Sequence, residues 1–256
     1  MFSQLGTLRA ILRKNRLWAS IQPEVRMLRA PENVGRSISR EEEAALLEAC
    51  RASRSRSLYP AVLIALNTCM RYFELRLLRW SQVDLKVCTL TVGQSKTEFG
   101  TGRLLPLNDR AVAILGFWAG LFPERESSHF VFPAERYGAS GDGATVVYDS
   151  DPTKPIGRWK EAWESAKIRA GVSCRFHDLR HTDCTWMLEA GVPFSVVATI
   201  MGWSPSTTVR MARRYGHIGQ TAQRHAVNAL DEAGFQGDGA QNWAQSQKAR
   251  VRQLPN

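Results

Sequence analysis

The chain has 256 residues, of which 44% are hydrophobic, so it is long and apolar enough for one large globular domain with a buried core. Its formal net charge of +10 favours a polyanionic partner, and nucleic acid is preferred to an anionic membrane surface. The apolar runs, such as residues 61–66, fall short of the roughly 20 residues that a membrane span needs. The N-terminus also lacks the apolar core of a signal peptide, so a cytoplasmic protein is expected.

The first 36 residues are basic, with seven Arg or Lys and two Glu. A helical pattern over residues 5–19 leads into a Pro-interrupted linker. Ser39 and Glu42 then form a capping-box pattern, which predicts that the globular body begins with a helix running to about Ser53. The basic segment is either a nucleic-acid contact or simply a solvated helix face.

The next segments alternate between helical and extended patterns. Two helical segments after Pro60 are predicted to meet near residues 68–71. Residues 86–93 and 102–108 have the composition of strands and predict a hairpin, with Lys96 in its long polar tip. The body is therefore predicted to combine helices with a small antiparallel sheet.

The remainder of the body is predicted to be mainly helical. Asn108 is a natural N-cap for the first of these helices. Residues 136–155 are rich in Gly, Ser and Asp and predict a surface loop, and residues 234–256 predict a flexible polar tail. The predicted helices cover residues 108–120, 156–171, 176–190, 193–201, 207–214 and 219–233.

The stretch "RFHDLRHT", residues 175–182, places His177, Arg180 and His181 on one face of a helix. The histidine pair could bind a metal, fill part of the core or face a phosphate. A metalloprotease site would need Glu beside the first histidine, and an arginine between two ligands repels a dication. Five cysteines without CxxC spacing add no zinc cluster. A phosphate target fits these residues best, and no metal or cofactor is expected.

Four stretches together resemble the tyrosine recombinase (phage integrase) family, over roughly residues 37–230. The resemblance implies a mainly helical catalytic domain with a small antiparallel sheet. It also implies metal-independent cleavage and rejoining of DNA through a 3′-phosphotyrosyl intermediate. The matching stretches are "TCMRYFELRLLRWSQVDL" (68–85), "SKTEFGTGRLLPL" (95–107), "RFHDLRHTDCTWMLEAGVPFSVVATIMGW" (175–203) and "ARRYGHI" (212–218).

The matching positions supply the groups that phosphate chemistry requires. Arg71 and Arg180 match the two arginines of the family, whose planar guanidinium groups stay charged and can hold two phosphate oxygens. Lys96 matches the lysine that protonates the leaving 5′ oxygen, and His177 matches the family's histidine that helps the attacking tyrosine lose its proton. These four residues are the predicted catalytic groups around the phosphate.

Tyr215 is the predicted nucleophile, because three arginines lie close to it in "RMARRYGHI". Trp203 stands where most members of the family have histidine; its indole N–H can donate to a phosphate oxygen but cannot shuttle a proton. Glu74 matches the family's acidic position and is predicted to orient a neighbouring group. The interval between Trp203 and Tyr215 is three residues longer than the usual spacing. His181 stays outside the predicted catalytic set.

The resemblance implies a site-specific DNA recombinase or integrase that acts on double-stranded DNA, as a tetramer on DNA and possibly a monomer in isolation. When it is bound to DNA, the protein is expected to associate with the nucleoid. Two alternatives stay open: relaxation of DNA by a type IB topoisomerase-like reaction, and a catalytically impaired DNA-binding fragment. Residues 37–233 are the predicted catalytic domain. Residues 1–36 resemble the last helix and linker of a mostly missing core-binding domain, which would leave DNA binding weak and poorly selective.

Overall fold

A computed structural model describes residues 2–25, 35–139 and 146–215, together with residues 224, 227 and 228. The chain divides into two compact units, Met1–Gly35 and Arg36–Asn256. None of the helices in the described part of the chain is long and apolar enough to cross a membrane. The predicted tail, residues 234–256, and nearly all of the predicted helix 219–233 lie outside the described residues, as does most of the predicted linker before Ser39.

The first unit contains α1 (Phe2–Lys14) and α2 (Trp18–Ile21), where the sequence pattern predicted one helix over residues 5–19. The prediction of a continuous helix was wrong because Arg16 is left-handed, with φ of +58°. The Leu17 N–H donates to the Leu12 carbonyl over 2.9 Å, and the Arg16 N–H donates to the Arg13 carbonyl over 3.1 Å. These two bonds form a Schellman C-cap that satisfies the last carbonyls of α1.

The second unit contains eight of the helices within the described ranges, and the two predicted caps are confirmed. The Ser39 side chain accepts from the Glu42 N–H while Glu42 accepts from the Ser39 N–H, and Asn108 accepts from the Ala111 N–H. These helices are α3 (Arg40–Arg51), α4 (Leu58–Thr68), α5 (Tyr72–Arg76), α6 (Asp109–Gly120), α7 (Lys160–Ala170), α8 (Phe176–Glu189), α9 (Phe194–Met201) and α10 (Pro205–Tyr215).

The predicted hairpin belongs to a three-stranded antiparallel sheet of β1 (Val83–Asp84), β2 (Thr89–Thr91) and β3 (Leu104–Pro106). Its strands are shorter than predicted. Leu90 and Leu105 are paired across it, and both side chains are buried. The loop between β2 and β3 carries Lys96, as predicted.

The prediction of a surface loop over residues 136–155 was wrong where the structure describes it. Strands β4 (Pro133–Ala139) and β5 (Val146–Pro155) form a second antiparallel hairpin, with Tyr137 opposite Tyr148. Backbone pairing between the two halves of this segment supplies the hydrogen bonds, so a polar composition does not prevent strands from forming. Residues 140–145, at the centre of the predicted loop, lie outside the described residues.

The core packs around α4, whose residues from Pro60 to Leu66 are all buried. Trp159 and Trp163 belong to it, as predicted, although Trp159 is the N-cap of α7 and that helix begins later than predicted. The Tyr72 ring lies 5.6 Å from the Trp159 ring and 5.0 Å from the Phe176 ring. Full burial of a large apolar side chain contributes roughly 1.5–3 kcal/mol, and the partly buried rings of Tyr72 and Phe176 contribute a share of that to the packing of α5 against α8.

Candidate active site

The turn between α4 and α5 places the first predicted arginine. Cys69 ends α4 in the left-handed conformation, with φ of +55°, and Arg71 is the N-cap of α5. The Cys69 N–H donates to Asp183 Oδ2 over 3.1 Å, which ties this turn to the middle of α8. The turn therefore brings Arg71 to the helix that carries His177 and Arg180.

Glu74 lies one helical turn after Arg71 and is fully buried at its side chain. It accepts from the Arg71 N–H over 2.9 Å and from Arg71 Nη1 over 2.7 Å. Burial alone would raise the pKa of Glu74, but hydrogen bonds and charge from Arg103, with Ser95 and the Arg71 backbone, lower it to about 2. The carboxylate is thus ionised and orients the Arg71 side chain, which stays 20% exposed.

Arg103 links the loop that carries Lys96 to Arg71 and Glu74. Its Nη2 donates to Glu74 Oε2 over 2.6 Å, and its Nη1 donates to Glu74 Oε1 over 3.1 Å. Its Nε donates to the Ile200 carbonyl in α9 over 3.2 Å. Ser95 donates to Glu74 Oε1 over 2.5 Å and lies 3.1 Å from Arg71 Nη1. Lys96, the next residue, is exposed.

Arg180 lies beneath the surface rather than on it. Its side chain is buried, and its two terminal nitrogens donate to the carbonyls of Cys69 and Met201. Burial, with a smaller contribution from the charge of Arg71, lowers the pKa of Arg180 to about 10, so it stays charged at neutral pH. The structure therefore brings the two predicted arginines together, with Arg71 the more exposed of the two.

His177 is exposed on the first turn of α8, and its ring lies 5.0 Å from the ring of His181 at 87°. Partial desolvation and the charges of Arg180 and Arg175 lower the pKa of His177. The two imidazoles of "RFHDLRHT" thus pack edge to face. No group of three His, Cys, Asp or Glu side chains in the described part of the chain could hold a metal ion, so the histidine pair has no third ligand there.

Tyr215 ends α10 and is 8% exposed. Its hydroxyl lies 2.8 Å from His181 Nδ1, and its ring stacks on that of Trp203, with centroids 6.5 Å apart at 15°. Burial, with the neighbouring Cys184 thiol, raises the pKa of Tyr215 well above its usual value of 10. The predicted nucleophile is therefore protonated and packed between α8 and Trp203.

Sequence reasoning missed two residues that contact the predicted set. His181 was set aside, although its position in the turn after His177 already placed it on the same helix face. Arg103 follows the left-handed Gly102, and its position beside the polar tip of the predicted hairpin gave no sign that its side chain was buried. Both are found by tertiary contacts: His181 touches Tyr215, and Arg103 touches Glu74.

The described residues form a helical domain with a small antiparallel sheet, in which two arginines and a buried tyrosine lie around α8. Comparison with known proteins identifies the family of this domain. The model of the Phage integrase family matches residues 36–221. An integrase of Salmonella phage P22 is 30% identical over 226 residues, covering 84% of this chain and 53% of the relative. The chain belongs to the phage integrase family, as the resemblance predicted.

Solved structures agree with the fold class. The catalytic domain of the bacteriophage HP1 integrase matches with a TM-score of 0.53 and 22% identity, covering 75% of this chain and 94% of that domain. The Tn1549 transposon integrase, solved in complex with a circular intermediate DNA, matches with a TM-score of 0.60 and 17% identity, covering 88% and 79%. The mainly helical fold with small antiparallel sheets is confirmed. The chain spans about half the length of the P22 integrase.

Proposed function

We propose that this chain is the catalytic part of a site-specific DNA recombinase, a strand-transferase that cleaves and rejoins DNA through a phosphotyrosyl bond. One observation carries the proposal: the turn just before Arg71 and the Tyr215 hydroxyl, from distant parts of the chain, both contact α8, the helix that carries Arg180. Membership of the phage integrase family supports it. The relatives are named as integrases, which favours recombination over simple relaxation.

In the proposed reaction the Tyr215 oxygen forms a bond to a DNA phosphorus, and the bond from phosphorus to the 5′ oxygen breaks. Charge develops on the non-bridging oxygens, where Arg71 supplies fixed donors and the buried guanidinium of Arg180 adds positive charge. Glu74 orients Arg71. Arg71 uses Nη1 for Glu74 and Ser95, and within the described residues Nε and Nη2 have no partner, so they can meet phosphate.

The remaining predicted residues take roles at the edge of this phosphate position. Lys96, on its exposed loop, protonates the leaving 5′ oxygen. The Trp203 indole N–H donates a hydrogen bond to a non-bridging phosphate oxygen. The exposed His177 side chain also donates to such an oxygen or exchanges a proton with it. A second strand's 5′ hydroxyl then attacks the phosphotyrosyl bond, and Tyr215 leaves.

Double-stranded DNA is the proposed partner, and the Tn1549 integrase structures, which contain DNA, support this. Assembly into a tetramer on DNA, residues 37–233 as the catalytic domain, and a cytoplasmic, nucleoid-associated location remain predictions. The charge of +10 supports DNA as the partner.

The test uses a pool of DNA duplexes randomised around one position, each nicked a few nucleotides to its 3′ side. The short fragment released by cleavage diffuses away, so the covalent adduct accumulates and its DNA identifies the site. We expect a protein–DNA adduct that survives denaturation with the wild-type chain and none with Tyr215→Phe, which removes only the attacking oxygen. Binding of the same duplex, measured by fluorescence anisotropy, should be retained in Tyr215→Phe.

Two further measurements separate the alternatives. Relaxation of a supercoiled plasmid that lacks the selected site would favour the topoisomerase-like reaction, and DNA binding without any adduct would favour the impaired fragment. EDTA should leave the adduct yield unchanged, because arginines supply the charge. An adduct that persists in Tyr215→Phe would show that another residue is the nucleophile.

A further inference from the structure

The Tyr215 hydroxyl is bonded to one side chain of α8. His181 Nδ1 lies 2.8 Å from Tyr215 Oη, and Cys184, one turn further along α8, is buried in the same cluster as Tyr215. Trp203 covers one face of the tyrosine ring. The buried tyrosine oxygen therefore has the His181 imidazole within direct reach of its proton.

We propose that His181 is a catalytic residue, the base that accepts the proton of Tyr215 as the tyrosine oxygen attacks phosphorus. This assignment rests on the proposed function. The O–H bond of Tyr215 breaks and its proton passes to His181 Nδ1, while the oxygen's electron pair forms the bond to phosphorus. The bond to the 5′ oxygen breaks at the far side, where Lys96 supplies a separate proton. The imidazolium of His181 returns its proton to Tyr215 when the second strand attacks.

Geometry and chemistry both favour His181 over the other neighbours of this oxygen. The Trp203 indole N–H is only a donor. Burial raises the pKa of the Cys184 thiol to about 11, so the thiol keeps its own proton and is not a base for the Tyr215 proton. Burial, with the charge of His177, lowers the pKa of His181 to about 4, so the imidazole is neutral with a free lone pair.

Bound DNA would make the transfer easier. Most charged groups facing His181 are cationic, and these hold its pKa down in the free protein. A phosphodiester beside Tyr215 adds negative charge, which raises the pKa of an imidazole and stabilises the imidazolium. The charged and titratable groups that face His181 and Tyr215 are His177, Asp178, Arg180 and Cys184 on α8, Arg175 at its N-cap, and Arg214 on α10.

Two substitutions separate proton transfer from positioning. In His181→Asn the amide oxygen can still accept the tyrosine hydrogen bond near the former Nδ1, but it cannot take the proton. His181→Ala removes the bond and opens space for a small molecule. We expect both variants to form the adduct at least about 100-fold more slowly than the wild type, measured in single-turnover reactions on the selected nicked duplex.

Chemical rescue and the pH dependence of the adduct rate distinguish a catalytic role of His181 from a structural role, because a structural role would affect neither. Added imidazole should restore the rate of His181→Ala, with more basic imidazoles acting faster. Without the base, the proton must pass to hydroxide, so the ratio of wild-type to His181→Asn rates should fall by about tenfold for each unit of rising pH. His129→Asn is the matched control: His129 Nδ1 accepts a hydrogen bond from the Glu126 N–H on a surface loop, and its substitution should leave the rate unchanged.

The outcomes distinguish this inference from the proposed function. If the wild type forms no Tyr215-dependent adduct, the proposed function fails. If the adduct forms but His181→Asn matches the wild type at every pH, His181 only positions Tyr215 and the inference is wrong. A faster rate in His181→Ala would also overturn it, because His181 would then restrain the tyrosine. Thermal unfolding of each variant shows whether a slow rate reflects misfolding.

Discussion

At the scale of single residues, two buried carboxyl groups at the candidate site have pKa values shifted in opposite directions. Glu74 and Asp183 are both buried, yet the pKa of Glu74 is lowered to about 2 and that of Asp183 is raised to about 8. Burial raises both values. Glu74 has two arginines bonded to it, whereas Asp183 accepts from Cys69 at Oδ2 and its Oδ1 has no partner within the described residues. Partners therefore decide which carboxyl is charged.

Asp183 should make stability depend on pH. Its pKa rises from 3.8 in the unfolded chain to about 8 in the folded one, so between these values the folded state holds one more proton. The free energy of unfolding should therefore fall as pH rises through this window, by up to about 1.4 kcal/mol per pH unit. Asp183→Asn removes the titration. Urea unfolding from about pH 5 to 8 should show the wild type losing stability relative to Asp183→Asn; parallel profiles would contradict the assignment.

The two arginines should be sensitive to their shape as well as their charge. Arg71→Lys keeps the charge but loses the planar fork that holds Glu74 and a phosphate together. We expect adduct formation to fall by about 100-fold or more. Arg180→Lys should also lose activity, because one ammonium cannot replace two terminal nitrogens bonded to separate carbonyls.

Arg110→Lys is the matched control for these variants, since Arg110 is half exposed and paired with Glu43. Near-normal adduct rates in Arg71→Lys would show that Arg71 acts only by attracting DNA through its positive charge. Thermal unfolding is needed for Arg180→Lys, whose buried position makes a loss of stability expected as well.

At the scale of elements, the site depends on the loop between β2 and β3 packing closely against α9. A Cβ at Gly100 would overlap Ser95 Oγ and lie 3.0 Å from Arg71 Nη1. Gly202, which ends α9 with φ of +58°, has its Cβ position 3.1 Å from the Gly100 Cα. Two glycines therefore allow the loop that carries Lys96 to approach the arginines.

Gly100→Ala should disturb this approach without unfolding the protein. The methyl group displaces Ser95 and Arg71, and a shift of about 1 Å in a catalytic group costs on the order of 100-fold in rate. Gly116→Ala is the matched control, because a Cβ there meets nothing within 4 Å. That change, inside α6, should stabilise the protein by up to about 1 kcal/mol and leave the adduct rate unchanged. Equal rates in the two variants would show that the loop approach does not matter.

At the scale of the whole molecule, the net charge of +10 should govern encounter with DNA. Contacts from Lys and Arg to phosphates carry little sequence information and weaken as salt rises. Arg210 and Arg213 are exposed on α10, on the helix that ends at Tyr215. The molecule therefore presents positive charge beside its candidate nucleophile.

DNA affinity should consequently fall steeply with salt. The logarithm of the binding constant should decrease linearly with the logarithm of salt concentration, and Arg213→Gln should reduce that slope by about one. Fluorescence anisotropy on selected and scrambled duplexes measures both. A slope near zero, or an Arg213→Gln slope equal to the wild type, would show that phosphate contacts of α10 are not part of binding.

Local patterns determined much of the architecture. The caps at Ser39 and Asn108 and the periodicity of α8 and α9 are features of a few adjacent residues, so they were correctly predicted. The break at Arg16 and the hairpin of β4 and β5 were not, because they depend on a left-handed residue and on backbone pairing that side-chain composition does not encode.

The family, the fold class and the candidate residues Arg71, Lys96, His177, Arg180, Trp203 and Tyr215 came from the sequence by itself, because motif order and spacing are linear properties. The tertiary structure alone decided that Arg103 bonds to Glu74 and that His181, rather than His177, touches the Tyr215 hydroxyl. The sequence places both histidines on one face of the helix and does not distinguish which of them contacts the tyrosine. That contact depends on where α10 packs, because His181 and Tyr215 are 34 positions apart in the chain.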